Sequence, residues 1–202
     1  MRELQSGLWW WETKHPGWTV EDDAAGHEWG PEVSCYAVDD GTRLLLIDPA
    51  TPPGPILDLA ADRETVIVLT NSWHERDARS LSESLGAPVF APPPDDGGRG
   101  IRMPAQLFSA GERLPFGVEV FPGREPPYDV LLWIESHRAV AIGDTLIDRG
   151  HGIEIVESWL AEGVTREQVV GGLQALLALP IEHVLPTHGL PTDRAALERA
   201  LS

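Results

Sequence analysis

A chain of 202 residues suits a single domain over residues 1–202, burying roughly 70% of its unfolded surface, and 42% hydrophobic with 23% charged residues describes an ordinary globular protein. The formal net charge of −17 is spread along the chain and disfavours nucleic acid or anionic lipid as partners, since both carry phosphates. No apolar run approaches the ~18 residues of a membrane span and Met1 to Ser6 holds no apolar leader segment, so no membrane association is expected.

Short apolar runs divided by turn residues fill the first two-thirds. Leu8 to Trp11, Val33 to Val38 and Arg43 to Ile47 read as strands, with Asp39-Asp40-Gly41 as the hairpin signal between the last two. Cys35, the only cysteine, excludes an intrachain disulfide; it reads as a buried structural thiol, and a cytoplasmic location is the simplest expectation. Val66 to Leu69 has the compact apolar character of a buried strand. A helix from Arg76 to Leu85 follows, ending at Gly86. This order puts the polar loop 70–77 at a strand's carboxyl end, where sites of α/β proteins collect. Pro88 to Ala91 is a further strand, and Pro92 to Gly100 is a surface loop.

Gly117 to Phe121, Val130 to Glu135 and Arg138 to Ile142 continue the strands, the last two joined by a tight Ser136-His137 turn. Thr165 with Gln168 forms a capping-box signature that opens a helix to about Leu177. His183 to Leu185 is the last strand, and Pro191-Thr192-Asp193 opens the last helix. No internal repeat or composition break marks a second domain.

The chemistry concentrates in Leu69-Thr70-Asn71-Ser72-Trp73-His74-Glu75-Arg76-Asp77, in Phe121-Pro122-Gly123-Arg124, in Ile142-Gly143-Asp144-Thr145 and in Leu185-Pro186-Thr187-His188-Gly189. In order and spacing these resemble the metal-binding loops of the metallo-β-lactamase superfamily, which carries Thr-His-x-His-x-Asp-His, a Pro-Gly-His turn, a bridging Gly-Asp and a Pro-x-His-Gly turn. The resemblance implies an α+β fold, a four-layer αβ/βα sandwich with two mixed sheets face to face and helices outside. It also implies a hydrolase built around two metal ions between the sheets.

Several ligand positions have other residues here. With Thr70 aligned to the motif's Thr, Asn71 and Trp73 take the first two His positions, Glu75 the Asp position and Arg76 the third His position. A register slipped by one places Ser72, His74, Arg76 and Asp77 there instead. Arg124 stands where the Pro-Gly-His turn has its imidazole, while Asp144 and His188 keep the family residue. Zinc usually needs at least three protein ligands, and a guanidinium is donor-only and always charged. At an effective dielectric near 20 and about 5 Å, each arginine would repel a dication by roughly 6–7 kcal/mol.

The leading expectation is therefore a metal-free or metal-poor member that keeps a cleft for a small-molecule ligand or substrate. That cleft would be lined by Asn71, Trp73, Glu75, Arg76, Arg124, Asp144, His151 and His188, with an arginine–carboxylate network in place of the metals. The alternative is a hydrolase of esters, thioesters, lactones or phosphoesters using one zinc, manganese or iron ion on Glu75, Asp144 and His188. In that case His74 is a possible fourth ligand, and Asp77 or His74 the general base. A third alternative is a regulatory or interaction module. Serine-nucleophile elbows, phosphate loops and dinucleotide fingerprints are absent.

Plainer readings stand beside these. His74 can be a loop residue bonded to backbone, Asp144 a loop brace, and the turn at His188 a backbone feature. His151 can be a solvated loop residue and His183 a strand residue. His15, His27 and His137 lie in no motif and read as structural or exposed. The tryptophans at 9–11, 18 and 29 can line a pocket or pack on a sheet face.

Overall fold

Alternating side-chain direction along the strands generates three separate apolar clusters, and these define the layers. In this computed structural model, which describes residues 1–25, 29–95 and 97–202, the first sheet is built from β1 (Arg2–Gln5), β2 (Leu8–Lys14), β3 (Glu32–Asp39), β4 (Arg43–Ile47), β5 (Glu64–Val68), β6 (Val89–Ala91) and β7 (Gln106–Leu107), in that spatial order. Its first four strands pair antiparallel, and β4 through β7 pair parallel. The connections carry α1 (Val20–Ala25), α2 (Gly54–Asp62) and α3 (Ala78–Leu85).

The second sheet uses β8 (Glu119–Pro122), β9 (Val130–Ile134), β10 (Ala139–Gly143), then β13 (His183–Pro186) and β14 (Thr192–Asp193). The small ribbon β11 (Ile147–Asp148) and β12 (Ile153–Glu154) lies between β10 and β13 in sequence, as does α4 (Arg166–Leu173); α5 (Arg194–Ala200) closes the chain. The β10–β13 pair is parallel and the rest of this sheet antiparallel, so both sheets are mixed.

Along β4, Leu45 and Ile47 face the second sheet, where they meet Leu132 and Ile134 of β9 and Leu185 of β13. Their neighbours Leu44 and Leu46 face outward to Ile56 of α2 and Leu81 of α3. On the other side Trp133 and Val140 face Val169 of α4 and Leu197 of α5. Helix, sheet, sheet and helix follow one another, which is the expected four-layer αβ/βα sandwich. Leu131, Leu132, Ile134, Leu44, Leu45, Leu46 and Ile47 are all fully buried, consistent with strands covered on both faces.

The local signals hold in detail. Thr165 accepts from the Gln168 backbone N–H, and Gln168 Oε1 accepts from Thr165 N at 2.9 Å, so the capping box is complete. Gly86 ends α3 in the left-handed region at φ 66°. The helix expected from Arg76 begins two residues later, at Ala78, because Arg76 itself has φ 38°. Neither β1 nor α2 was expected. The Pro52-Pro53-Gly54-Pro55 run opens α2, where prolines are tolerated in the first turn. Cys35 is buried, as expected, and its thiol is pushed up to about 11 by burial. Among the described residues no helix is long and apolar enough to cross a membrane.

Candidate metal centre and cleft

The parallel pairs β4–β5 and β10–β13 end on one edge of the sandwich, and the loops leaving them supply the site. The Ile47-Asp48 corner follows β4, the 70–77 loop follows β5, Asp144 follows β10 and His188 follows β13. Hydrogen bonds stitch the sheets together at this edge. Ser34 N donates to Thr187 O at 2.9 Å, Tyr36 Oη donates to Pro186 O at 2.7 Å, and Val130 N donates to Thr70 O at 2.9 Å.

Asp48, wholly buried with φ 44°, organises the first sheet's contribution. One of its oxygens accepts from Thr70 N at 2.9 Å, and the other accepts from Thr70 Oγ1 and lies 3.2 Å from His74 Nδ1. This grip turns the opposite ring nitrogen of His74 toward Asp144, with Nε2 3.2 Å from Oδ1. His188 Nε2 lies 3.6 Å from the same oxygen. Asp144 is fixed in turn by Asn71 Nδ2 at 3.3 Å and by Thr187 Oγ1 at 3.2 Å. One donor atom from each of His74, Asp144 and His188 lies within 4.8 Å of the others, and all three residues are buried.

Charge and burial set the protonation states of this cluster. Burial alone would lower the His74 pKa, but the carboxylates of Asp144 and Asp48 outweigh it and raise it to about 9. His188 goes the other way, to about 3, because burial is joined by Arg76, His74 and His15 against the pull of Asp144. Asp144 stays ionised despite burial, held far below the usual carboxylate range by His74, His188 and Arg124. Asp129 is buried beneath the loop and raised to about 7 by burial and the Asp144 charge.

The cluster floors a cavity of about 590 Å³ whose walls include His15, Trp29, Trp73, Arg76, Arg124 and Tyr128. Trp29 packs against His188 with ring centres 4.7 Å apart, and Trp18 packs on Trp29 at 4.6 Å. Trp73, partly exposed, lies beside Tyr128 at 5.6 Å with a 32° tilt.

Most of the residues expected in the cleft are there. Trp73, Arg76, Arg124, Asp144 and His188 line it, while Asn71 is fully buried and acts through its bond to Asp144. Three expectations need correction. Glu75 turns away: its carboxylate accepts from Arg79 Nε at 3.1 Å and from the Arg102 backbone N–H, so His74 replaces it in the donor set. Asp77 accepts from Thr51 N at 2.7 Å at the start of α3 and is not a cleft residue; its role is to hold the loop. His151 pairs with Glu154 at 2.8 Å on an exposed loop away from the cleft.

The expected arginine–carboxylate network is also not what forms. Asp144 is met by imidazoles, an amide and a hydroxyl. Arg76 Nη1 instead donates to the Asp48 carbonyl at 2.8 Å, and Arg124 lies against Trp159 and Asp129. His15 was missed as a site residue, while Trp29 takes the pocket-lining alternative offered for the tryptophans. Both lie in no recognisable motif and reach the cleft only through the fold. His183 bonds Gln5 at the far sheet edge, His137 is buried beside Ser136, and His27 lies outside the described residues.

With His74 in the donor set, the residues fit a single ion. Three protein donors and one open position is the catalytic zinc pattern. Among the described residues His74, Asp144 and His188 form the one such donor group, and the neighbouring Arg76 and Arg124 have no lone pair to give an ion.

No family model and no curated protein matches the chain. Solved structures do. TTHA1623 in a di-iron-bound form is 27% identical with a TM-score of 0.62, over 85% of this chain and 95% of that one. BLEG-1 B3 metallo-β-lactamase is 19% identical with a TM-score of 0.63, over 85% and 94%. FIM-1 from Pseudomonas aeruginosa, in its mono-zinc form, is 15% identical with a TM-score of 0.68, over 98% and 91%. With two mixed sheets in this order and loops converging at their shared edge, the chain has the metallo-β-lactamase fold.

Proposed function

We propose that the protein is a hydrolase of the metallo-β-lactamase superfamily that works with one divalent ion, held by His74, Asp144 and His188. One observation carries this reading. The two imidazole Nε2 atoms lie 3.2 and 3.6 Å from a single Asp144 oxygen. Donors about 2.0–2.1 Å from a tetrahedral ion are about 3.3 Å apart, so these separations suit a shared ion. Two nitrogens and one oxygen suit zinc, manganese or iron. An ion there would supply Lewis acidity toward an ester, thioester, lactone or phosphoester.

The chain's own residues do the rest. Asp48 and Thr70 hold the His74 ring so that Nε2 faces the cluster, the outer-shell support that metal-binding imidazoles require. His188 is kept neutral by burial and neighbouring cations, leaving a lone pair free for an ion. Trp29 covers the His188 ring and limits water there. His15 Nδ1 accepts from Gly17 N at 3.1 Å, so its neutral ring carries the proton on Nε2, on a residue that lines the cleft.

A second reading has its own support. The imidazolium of His74, between Asp48 and Asp144, can itself supply the positive charge at this edge, making a metal-free binding protein. Calorimetric titration with zinc, manganese and ferrous ions, together with ester and phosphodiester turnover before and after chelation, separates the two. The hydrolase reading requires one equivalent bound, lost in His188→Ala, and turnover lost on chelation. Failure of any ion to bind at millimolar concentration would leave the metal-free reading.

A further inference from the structure

Arg124 has more hydrogen-bonding capacity than the protein uses. It stands at the corner after β8, only 6% exposed, and lines the cleft. Its Nη1 reaches the Trp159 carbonyl at 3.4 Å, Nη2 is 3.7 Å from Glu125, and Nε is 3.6 Å from Asp129 without a hydrogen bond. A guanidinium carries five N–H donors and cannot shed its proton. Nearly buried and held only by long contacts, it lacks the short, charge-assisted bonds that normally compensate such a cation.

The surroundings suit a flat molecule. Trp159 stacks on the guanidinium with Cζ 5.2 Å from the ring centre. Trp73 and Tyr128 make a nearby tilted aromatic pair, with Arg99 over the Trp73 face at 5.4 Å. The cavity, about 590 Å³, lies within the usual range for small organic ligands. Against a chain charge of −17, the cleft wall carries three arginines, Arg76, Arg99 and Arg124, to two carboxylates, Glu125 and Asp144.

We propose that the cleft takes a small planar acid, its carboxylate anchored by Arg124 and its aromatic body laid against Trp73 and Tyr128. This rests on the cleft being the substrate site, as proposed above, but not on the ion. Arg124 is then the residue that sets specificity for charge, choosing acids over neutral molecules of the same shape.

The test uses the full chain stripped of metal by chelation, with 2-naphthoate and its neutral isostere 2-naphthalenemethanol titrated by calorimetry. Wild type should bind the acid at least about tenfold more tightly, and added salt should weaken the acid alone. The gap should fall below about twofold in Arg124→Gln and persist in part in Arg124→Lys. Trp73→Ala should weaken both probes by similar factors. Equal binding of the two probes, binding of neither, or a preference kept in Arg124→Gln would overturn the proposal. If Arg124→Gln does not fold, the wild-type isostere pair and Arg124→Lys still decide. Because metal is absent throughout, this outcome is independent of whether the His–Asp–His cluster binds an ion.

Discussion

Ion binding at the cluster should release one proton, and that proton should come from His74. In the metal-free protein His74 is raised to about 9 by Asp144 and Asp48, working against burial. His188, lowered to about 3, and Asp144, held ionised, have no proton to give near neutral pH. An ion can therefore bind only after a single deprotonation. The sign follows directly: a raised pKa favours the protonated ring below about 9, so apparent affinity climbs as pH rises and levels off above that value. Between pH 7 and the plateau above 9 the difference is two units at 1.36 kcal/mol each, about 2.7 kcal/mol or about 100-fold in affinity. Chelator competition at pH 6.5, 7.5 and 8.5 should show a slope near tenfold per unit. Calorimetry in buffers of different ionisation enthalpy should count one proton per ion. Asp48→Asn removes one of the two charges that raise His74, so its plateau should begin at lower pH. A flat affinity across this range, or no proton released, would refute this account of the cluster.

Other expected outcomes are simpler. Asp144→Ala and His188→Ala should each weaken zinc binding by about 100-fold or more, since either leaves only two protein donors, whereas Glu75→Ala should leave it within about twofold. Asp77→Ala should lower stability by about 1 kcal/mol through loss of the Thr51 N–H bond, without altering ion affinity, as read by denaturant melts beside the titration. Gly123→Ala would place a methyl 2.6 Å from Thr145 Oγ1 and 2.7 Å from the Asp129 carbonyl oxygen, so a loss of about 1–3 kcal/mol in chemical denaturation is expected. Thr165→Ala should cost about 1 kcal/mol by breaking the capping box, with ligand binding unchanged.

The layers were legible because strands buried on both faces must be continuously apolar, and Leu44–Ile47 and Val130–Ile134 are. The Thr165–Gln168 box and Gly86 were legible because capping chemistry is local. Asp144 and His188 could be placed because each sits in a short turn whose shape the neighbouring glycine and proline dictate. His74 could not be assigned by slot counting. Its side-chain direction depends on the backbone turning through φ 38° at Arg76 and on Asp48, 26 positions earlier, capturing Nδ1. Neither is a property of the 70–77 segment alone. Glu75 failed as a candidate for the same reason: the turn that brings His74 inward points its neighbour out toward Arg79 and Arg102. His15 and Trp29 reach the site from a segment with no periodicity to betray it.

The geometry of the cluster is thus a property of how the two sheets dock. His74 belongs to the first sheet, while Asp144 and His188 belong to the second. Their separations are fixed by the bonds that cross the gap: Ser34 N to Thr187 O, Tyr36 Oη to Pro186 O, and Val130 N to Thr70 O. Asp48 and Arg76 hold positive φ angles at this same edge, a conformation that costs of order 1–3 kcal/mol each and persists only where the surroundings impose it. The aligned ends of the parallel strands and the bonds across the sandwich supply that imposition. An ion bridging His74 to Asp144 and His188 would act across the same gap, so it would stabilise the docking of the sheets as well as the loop. Ion binding should therefore protect the Ser34 and Val130 amides from hydrogen exchange, while leaving the Gln168 amide in the distant α4 cap unchanged. Equal protection at all three amides would mean that the ion stabilises the fold globally and that the sheet–sheet seam is not where it acts.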